Sequence, residues 1–277
     1  MCPQVTSVTA MSPVGAPPEV RGPQNRRARR TQTHAEQYGS ANRMKRVAIV
    51  QSNYIPWKGY FDLIAHVDEF ILLDDVQYTN RDWRNRNRIK TATGPIWLSI
   101  PIEHGSRSQL INEATVASRS WNVKHWRSLT HAYRRSPYFD EYATALEKMY
   151  RECEGSRMSE INRHFLEGLC SILGIQANLR QSTDYGATGS KTERLVDLCR
   201  KSGATRYITG PAARAYLDET IFQNAGIETQ WFDYSGYPEY PQLHPPFDHH
   251  VSVLDLIFNT GPNAKRYLKI ATSTRVP

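Results

Sequence analysis

Two short apolar runs separated by one helix-sized segment constrain this chain most: Val47-Ala48-Ile49-Val50 and Phe70-Ile71-Leu72-Leu73. Unbroken runs of this kind fit strands buried on both faces, as in a parallel sheet, because half-exposed strands alternate polar and apolar residues. Between them Tyr60 to Val67 reads as a helix, with Tyr60, Ile64 and Val67 on one stripe. Strand, helix and strand make a βαβ unit. In open parallel sheets ligands lie beyond the carboxyl ends of the strands. The polar stretches 51–59 and 74–90 each follow a strand, so they are expected to share one cleft.

The later chain keeps this rhythm. A strand is predicted over Ile96–Pro101 and an edge strand over 110–117. Helices are predicted from Asn122 to Pro137, from Phe139 to Cys153 and from Ser159 to Leu173, each with an apolar stripe at helical spacing. Strands at 177–180, 206–209 and 228–232 then alternate with helices at 191–202 and 212–217, and a last helix starts at Val253. The Tyr-, Pro- and His-rich stretch 233–250 reads as a loop. The expected fold is a single α/β domain over 44–270, built on a Rossmann-like parallel sheet, with a helical insertion at about 120–173 that forms a lid.

Residues 1–43 read differently. Five prolines, many small polar residues and no apolar periodicity mark a disordered N-terminal extension. Of the formal charge of +8, six arginines and two glutamates of this extension carry +4, leaving +4 on the domain. That balance suits an anionic small molecule or a phosphorylated carrier, and it gives no ground for nucleic-acid binding beyond aminoacyl-tRNA. Cys2, Cys153, Cys170 and Cys199 form no C-x-x-C pair, so free buried thiols are expected. No apolar run reaches membrane-spanning length and no signal peptide opens the chain, so a soluble cytoplasmic protein is expected.

The densest site candidate is 74–90. Asp74 and Asp75 stand at a strand end, where paired carboxylates suit Mg²⁺ or a general base. Arg84, Arg86 and Arg88 offer planar forks for phosphate or carboxylate, and Trp83 adds an aromatic face. In the first loop Gln51, Asn53, Tyr54 and Trp57 provide the amides and rings of a sugar or nucleobase site, while Lys58 and Gly59 open a helix towards an anion. Lys191 starts another helix, after a Gly-rich turn without Walker spacing, and Gly210 follows a strand. His249 and His250 are candidate bases because imidazole titrates near neutrality. No histidine has metal-ligand spacing, and no nucleophile elbow is present.

Several long strings carry a family resemblance: QSNYIPWKGYFDLI, LLDDVQYTNRDWRNRNRIK, WLSIP, YITGPAARAYLD and SVLDLIFNTG. With these, residues 44 to about 262 resemble the WbqC-like family, bacterial proteins encoded among surface-polysaccharide and natural-product biosynthesis genes. The order of elements is also similar to the nucleotidylyltransferase and pantothenate-synthetase-like group, which holds a nucleotide on a His-x-Gly-His turn. Here that turn is Trp57-Lys58-Gly59-Tyr60, with the glycine kept and both histidines absent. The resemblance implies a place in surface-glycan or secondary-metabolite biosynthesis; the reaction expected from an anion-binding cleft without a nucleophile elbow is group transfer, moving an acyl or aminoacyl group from an activated thioester or nucleotide donor to a small-molecule amine or hydroxyl. A Mg²⁺-dependent nucleotidyltransferase or ligase and a non-catalytic carbohydrate- or carrier-binding protein are the alternatives.

Overall fold

The computed structural model describes residues 44–272. The expected N-terminal extension and Cys2 lie outside the described residues. β1 (Arg46–Val50) leads through α1 (Lys58–His66) to β2 (Glu69–Leu72), the βαβ unit expected. β1 and β2 pair in parallel, with Ala48 opposite Phe70 and Ile49 opposite Ile71. Next come a hairpin, β3 (Arg86–Thr91) and β4 (Gly94–Ser99), and three helices, α2 (Trp121–Tyr133), α3 (Phe139–Arg151) and α4 (Met158–Ile172). The chain then returns to the sheet through β5 (Leu179–Gln181), α5 (Lys191–Lys201), β6 (Arg206–Thr209), α6 (Glu219–Asn224) and β7 (Glu228–Trp231), and ends on α7 (Val253–Thr260) and short 3₁₀ turns.

The strands order as β5-β2-β1-β6-β7, all parallel. The chain builds outward from β1 on one side, then crosses over to build the other side from β6. The direction reverses between β1 and β6, which makes their carboxyl ends the switch point of a Rossmann-like sheet.

Side-chain alternation along the strands divides the core. Ala48, Phe70 and Leu72 point to one face, where they pack with α1, α7 and the three inserted helices. Val47, Ile49 and Ile71 point to the other, against Leu195, Leu198 and Cys199 of α5 and Phe222 of α6. Helices on both faces explain why these strands are apolar throughout.

Four expectations are corrected. The segment 110–117 forms a 3₁₀ turn at Ile111–Glu113 and isolated bridges in place of an edge strand. The predicted helix over 212–217 is a 3₁₀ turn, and α6 begins only where the Asp218 carboxylate caps the Thr220 amide at 3.0 Å. The charged stretch 74–90 ends in a strand, β3, whose Asn87 and Ile89 are buried, as is Asn85 just before it. The inserted helices do not form a separable lid, because Leu129, Leu146 and Phe165 belong to the same apolar cluster as Ala48 and Phe70. Among the described residues no helix is long and apolar enough to cross a membrane.

A shared core predicts a shared transition. Phe165→Ala removes a fully buried ring of α4 and should cost about 3–5 kcal/mol. Urea unfolding followed by fluorescence and by far-UV dichroism should remain one coincident transition; early loss of helix alone would show an independent insertion.

Candidate functional site

A cleft of about 650 Å³ opens at the switch point. Its floor is apolar: Ile49 and Val50 of β1, Leu73 just after β2 and Leu195 of α5. Three cations line it, Arg84 from the loop before β3 and Lys191 and Arg194 from the first turn of α5. Tyr216 and Tyr234 complete the wall, and no carboxylate side chain is among the described lining residues. Lys191 has φ 49°, in the left-handed region that costs an L-residue about 1–2 kcal/mol. Such strain collects at functional turns. Gly210 allows the Tyr234 ring to pack closely, since a Cβ there would stand 3.0 Å from it and the ring would have to give way by a few tenths of an ångström.

Arg84 and Arg194 each hold one carboxylate, Asp82 and Asp75, yet the Nε of each is buried without a partner. Lys191 makes no ion pair among the described residues. Lys191 therefore keeps N–H donors that an anion in the cleft can satisfy, beside the amino end of a helix.

The loops after β1 and before β3 form one wall of this cleft, joined where the Tyr54 amide donates to the Trp83 carbonyl at 3.0 Å. Gln51 and Arg84 face the cleft, whereas Asn53 and Trp83 line a second pocket of about 190 Å³ with Trp57 and His250. Between these faces lies a fully buried polar node. The Ser52 amide donates to Asp74 Oδ1 at 2.9 Å. Asn162 of α4 donates through Nδ2 to Ser52 Oγ at 2.9 Å and to the Arg84 carbonyl at 3.0 Å. Asp74 Oδ2 and Asn162 Oδ1 have no partner. Burial pushes the Asp74 carboxyl up to about 6, against the opposing hydrogen bonds from Ser52.

The residues singled out in the sequence thus divide. Gln51, Arg84, Lys191 and Gly210 meet in the cleft. Asn53, Trp57, Trp83 and His250 meet in the second pocket, so the two polar stretches share the cleft, through Gln51, Val76 and Arg84, and a second pocket besides. Tyr54 is core: its hydroxyl bonds His125 Nδ1 and the Tyr150 hydroxyl, both at 2.9 Å, with no exposure. Lys58 is buried under the 233–250 loop, where it donates to the Pro238 carbonyl at 3.0 Å and lies over the Tyr237 and Tyr240 rings. Burial lowers its ammonium to about 8. The space that Gly59 leaves is filled by the Trp57 indole, so the start of α1 is closed to an anion.

Asp75 accepts from Ser182 Oγ at 2.6 Å and pairs with Arg194, while Asp74 turns to Ser52; the two carboxylates do not present a joint face. Arg86 stacks on Trp97 at 4.1 Å, and Arg88 donates to the His250 carbonyl at 2.8 Å. His249 packs edge-on against Phe247, and burial lowers its pKa. His250 stands beside Asp248. Neither histidine lines the switch-point cleft.

Residues 51–267 match the WbqC-like protein family. The chain belongs to that family. A relative from Mycobacterium tuberculosis, described only as an uncharacterized protein, is 50% identical over 227 residues, covering 82% of this chain and 98% of its own length. No solved structure matches. Sequence reasoning on this WbqC-like chain missed Ser52, Asn162, Arg194, Tyr216 and Tyr234. Only Arg194 had an available signal, since it stands one turn after Lys191 on the same helix.

Asp74 carries a pH signature. A carboxyl raised from 3.8 to about 6 in the folded state favours folding below 3.8 and loses that effect as pH rises through 6. Asp74→Asn removes the buried charge but can still accept from the Ser52 amide. It should gain on the parent protein between pH 4 and 7 by on the order of 2–3 kcal/mol, read from urea midpoints at both values. A difference that does not change with pH would mean that the carboxyl is not raised.

Proposed function

We propose that this WbqC-like chain is a group-transfer enzyme whose switch-point cleft holds the anionic part of an activated donor. The observation that carries this reading is the meeting of Arg84, Lys191 and Arg194 over an apolar floor with no lining carboxylate. Such a site favours a molecule with a phosphate or carboxylate at one end and an apolar or planar body at the other. Nucleotides and pantetheine thioesters have that form. An acyl or aminoacyl transfer to an amine or hydroxyl, in a biosynthetic pathway, fits a cleft with cations and no serine or cysteine among its described lining residues.

Transfer to an amine or hydroxyl also needs a proton acceptor. Asp75 is neutralised by Arg194 and engaged by Ser182, so it is poorly suited. Asp74 is better suited in basicity, raised to about 6 with its Oδ2 unpartnered; it is buried and lines neither pocket, so the loops around it must shift for an acceptor to reach it. The acceptor then approaches from the second pocket, on the opposite side of the wall from the donor.

A thermal-shift series tests the donor side. ATP, nucleotide sugars and acyl-CoA are compared on the full chain, and a ligand at 100 times its Kd should stabilise by about 2.7 kcal/mol. Lys191→Ala and Arg84→Ala should each weaken the response about tenfold or more. Silence across the panel, or a response indifferent to both substitutions, would remove the donor assignment. With a responding donor, turnover should rise with pH through about 6, and Asp74→Asn should abolish that limb.

A further inference from the structure

The second pocket is built for a ring with a charge beside it. Two of its walls are indoles, Trp57 and Trp83, and the Asn53 side chain lies among its lining. Trp83 is 40% exposed, and Trp97, with its ring centroid 5.3 Å away, is 43% exposed. Most bulky aromatic side chains of the described residues are buried or half-buried. Two open indoles side by side therefore form a local feature that core packing does not explain.

Arg86 supplies the charge. Its guanidinium lies 4.1 Å from the Trp97 ring centroid, its Nε is buried without a partner, and it makes no ion pair among the described residues. Its neighbour Arg88 differs, because Asp248 and the His250 carbonyl engage it. The platform thus offers two indoles, an amide and one unpaired cation, and the Asp248 carboxylate beside His250 is paired with Arg88.

We infer that this pocket and the Trp83–Trp97–Arg86 platform form the acceptor subsite and bind an acidic saccharide, a sugar ring carrying a carboxylate. The inference rests on the donor reading only for the word acceptor; the binding claim stands on the pocket. The C–H faces of a pyranose pack on indole, its hydroxyls pair with amides, and its carboxylate fits a free guanidinium. Bases also stack on aromatic rings, but single-stranded nucleic acid needs a run of cations that follows its backbone. Here Lys58 and Lys90, on the neighbouring segments, are buried and already engaged with loop oxygens.

Isothermal titration of the full chain without any donor tests it. The probes are a tetragalacturonate, the neutral maltotetraose and an oligouridylate. The acidic tetrasaccharide should bind saturably and at least about tenfold more tightly than either comparison. Trp83→Ala should weaken it about tenfold or more, and Arg86→Gln should reduce it to the level of the neutral sugar. Both side chains are at least partly exposed, and unchanged melting temperatures will show that the variants fold. No saturable heat, equal binding of the neutral sugar, tighter binding of oligouridylate, or indifference to Trp83→Ala would each overturn the inference. Because no donor is present, failure here leaves the nucleotide and thioester response of the other cleft intact. Loss of that response would in turn leave saccharide binding standing.

Discussion

The amide of Asn162 holds the two functional loops in one register. Its Nδ2 reaches Ser52 Oγ in the loop after β1 and the Arg84 carbonyl in the loop before β3. Everything placed on the dividing wall follows from that. With Ser52 drawn inward, its neighbours Gln51 and Asn53 face opposite sides; with the Arg84 carbonyl fixed, Arg84 faces the cleft and Trp83 the second pocket. A buried polar node of this kind is strongly directional, since each unpaired group costs about 1–3 kcal/mol. The inserted helices therefore act as a scaffold. Their apolar stripes fuse with the sheet's core, and one polar residue of α4 reads out that position to the site.

The hairpin does the same from the other side. Ile55, fully buried with φ 36°, is a strained position for a β-branched residue. Asn87 of β3 donates through Nδ2 to the carbonyls of both Tyr54 and Ile55, at 3.1 and 2.9 Å, and so secures the bend. The bend carries the chain from β1 past the second pocket into α1. Strain and its restraint thus sit beside the pocket that uses Trp57 and Trp83.

Legibility in the sequence followed the chemistry of burial. β1 and β2 could be read because a doubly covered strand must be apolar throughout, and α2 to α5 because one helix face must be. β3 alternates over its first four residues, but its inward positions are Asn87 and Ile89, its outward ones Arg86 and Arg88, and Lys90 is buried after Ile89. A search for apolar alternation passes over it. Lys191 and Gly210 were legible because they stand at element ends. Asn162 was not, since its bond to Ser52 spans 110 residues and nothing local marks it. Tyr54 and Trp57 show the remaining ambiguity: neighbouring aromatic residues with the same local cues, one wholly inside the core and one lining a pocket.

The basic balance of the domain has an internal explanation. The loop 233–250 has no regular structure, so its carbonyls need donors from elsewhere. Cations supply them: Lys58 bonds the Pro238 carbonyl, Lys90 that of Pro246, Arg88 that of His250 and Lys269 that of Asp233. Ammonium groups in the interior are tolerable because carbonyl dipoles and the faces of Tyr237 and Tyr240 replace water around Lys58. Four of the domain's positive charges are thereby engaged in holding a loop and are not offered as an open basic face. At the two pockets the cations are few: Arg84, Lys191 and Arg194 on one side of the wall, the two arginines each already holding a carboxylate, and Arg86 on the other. A net charge taken from the sequence does not say where the cations stand, whereas the fold sets Arg84, Lys191 and Arg194 around one pocket and Arg86 beside the other, with a single pair of loops between them.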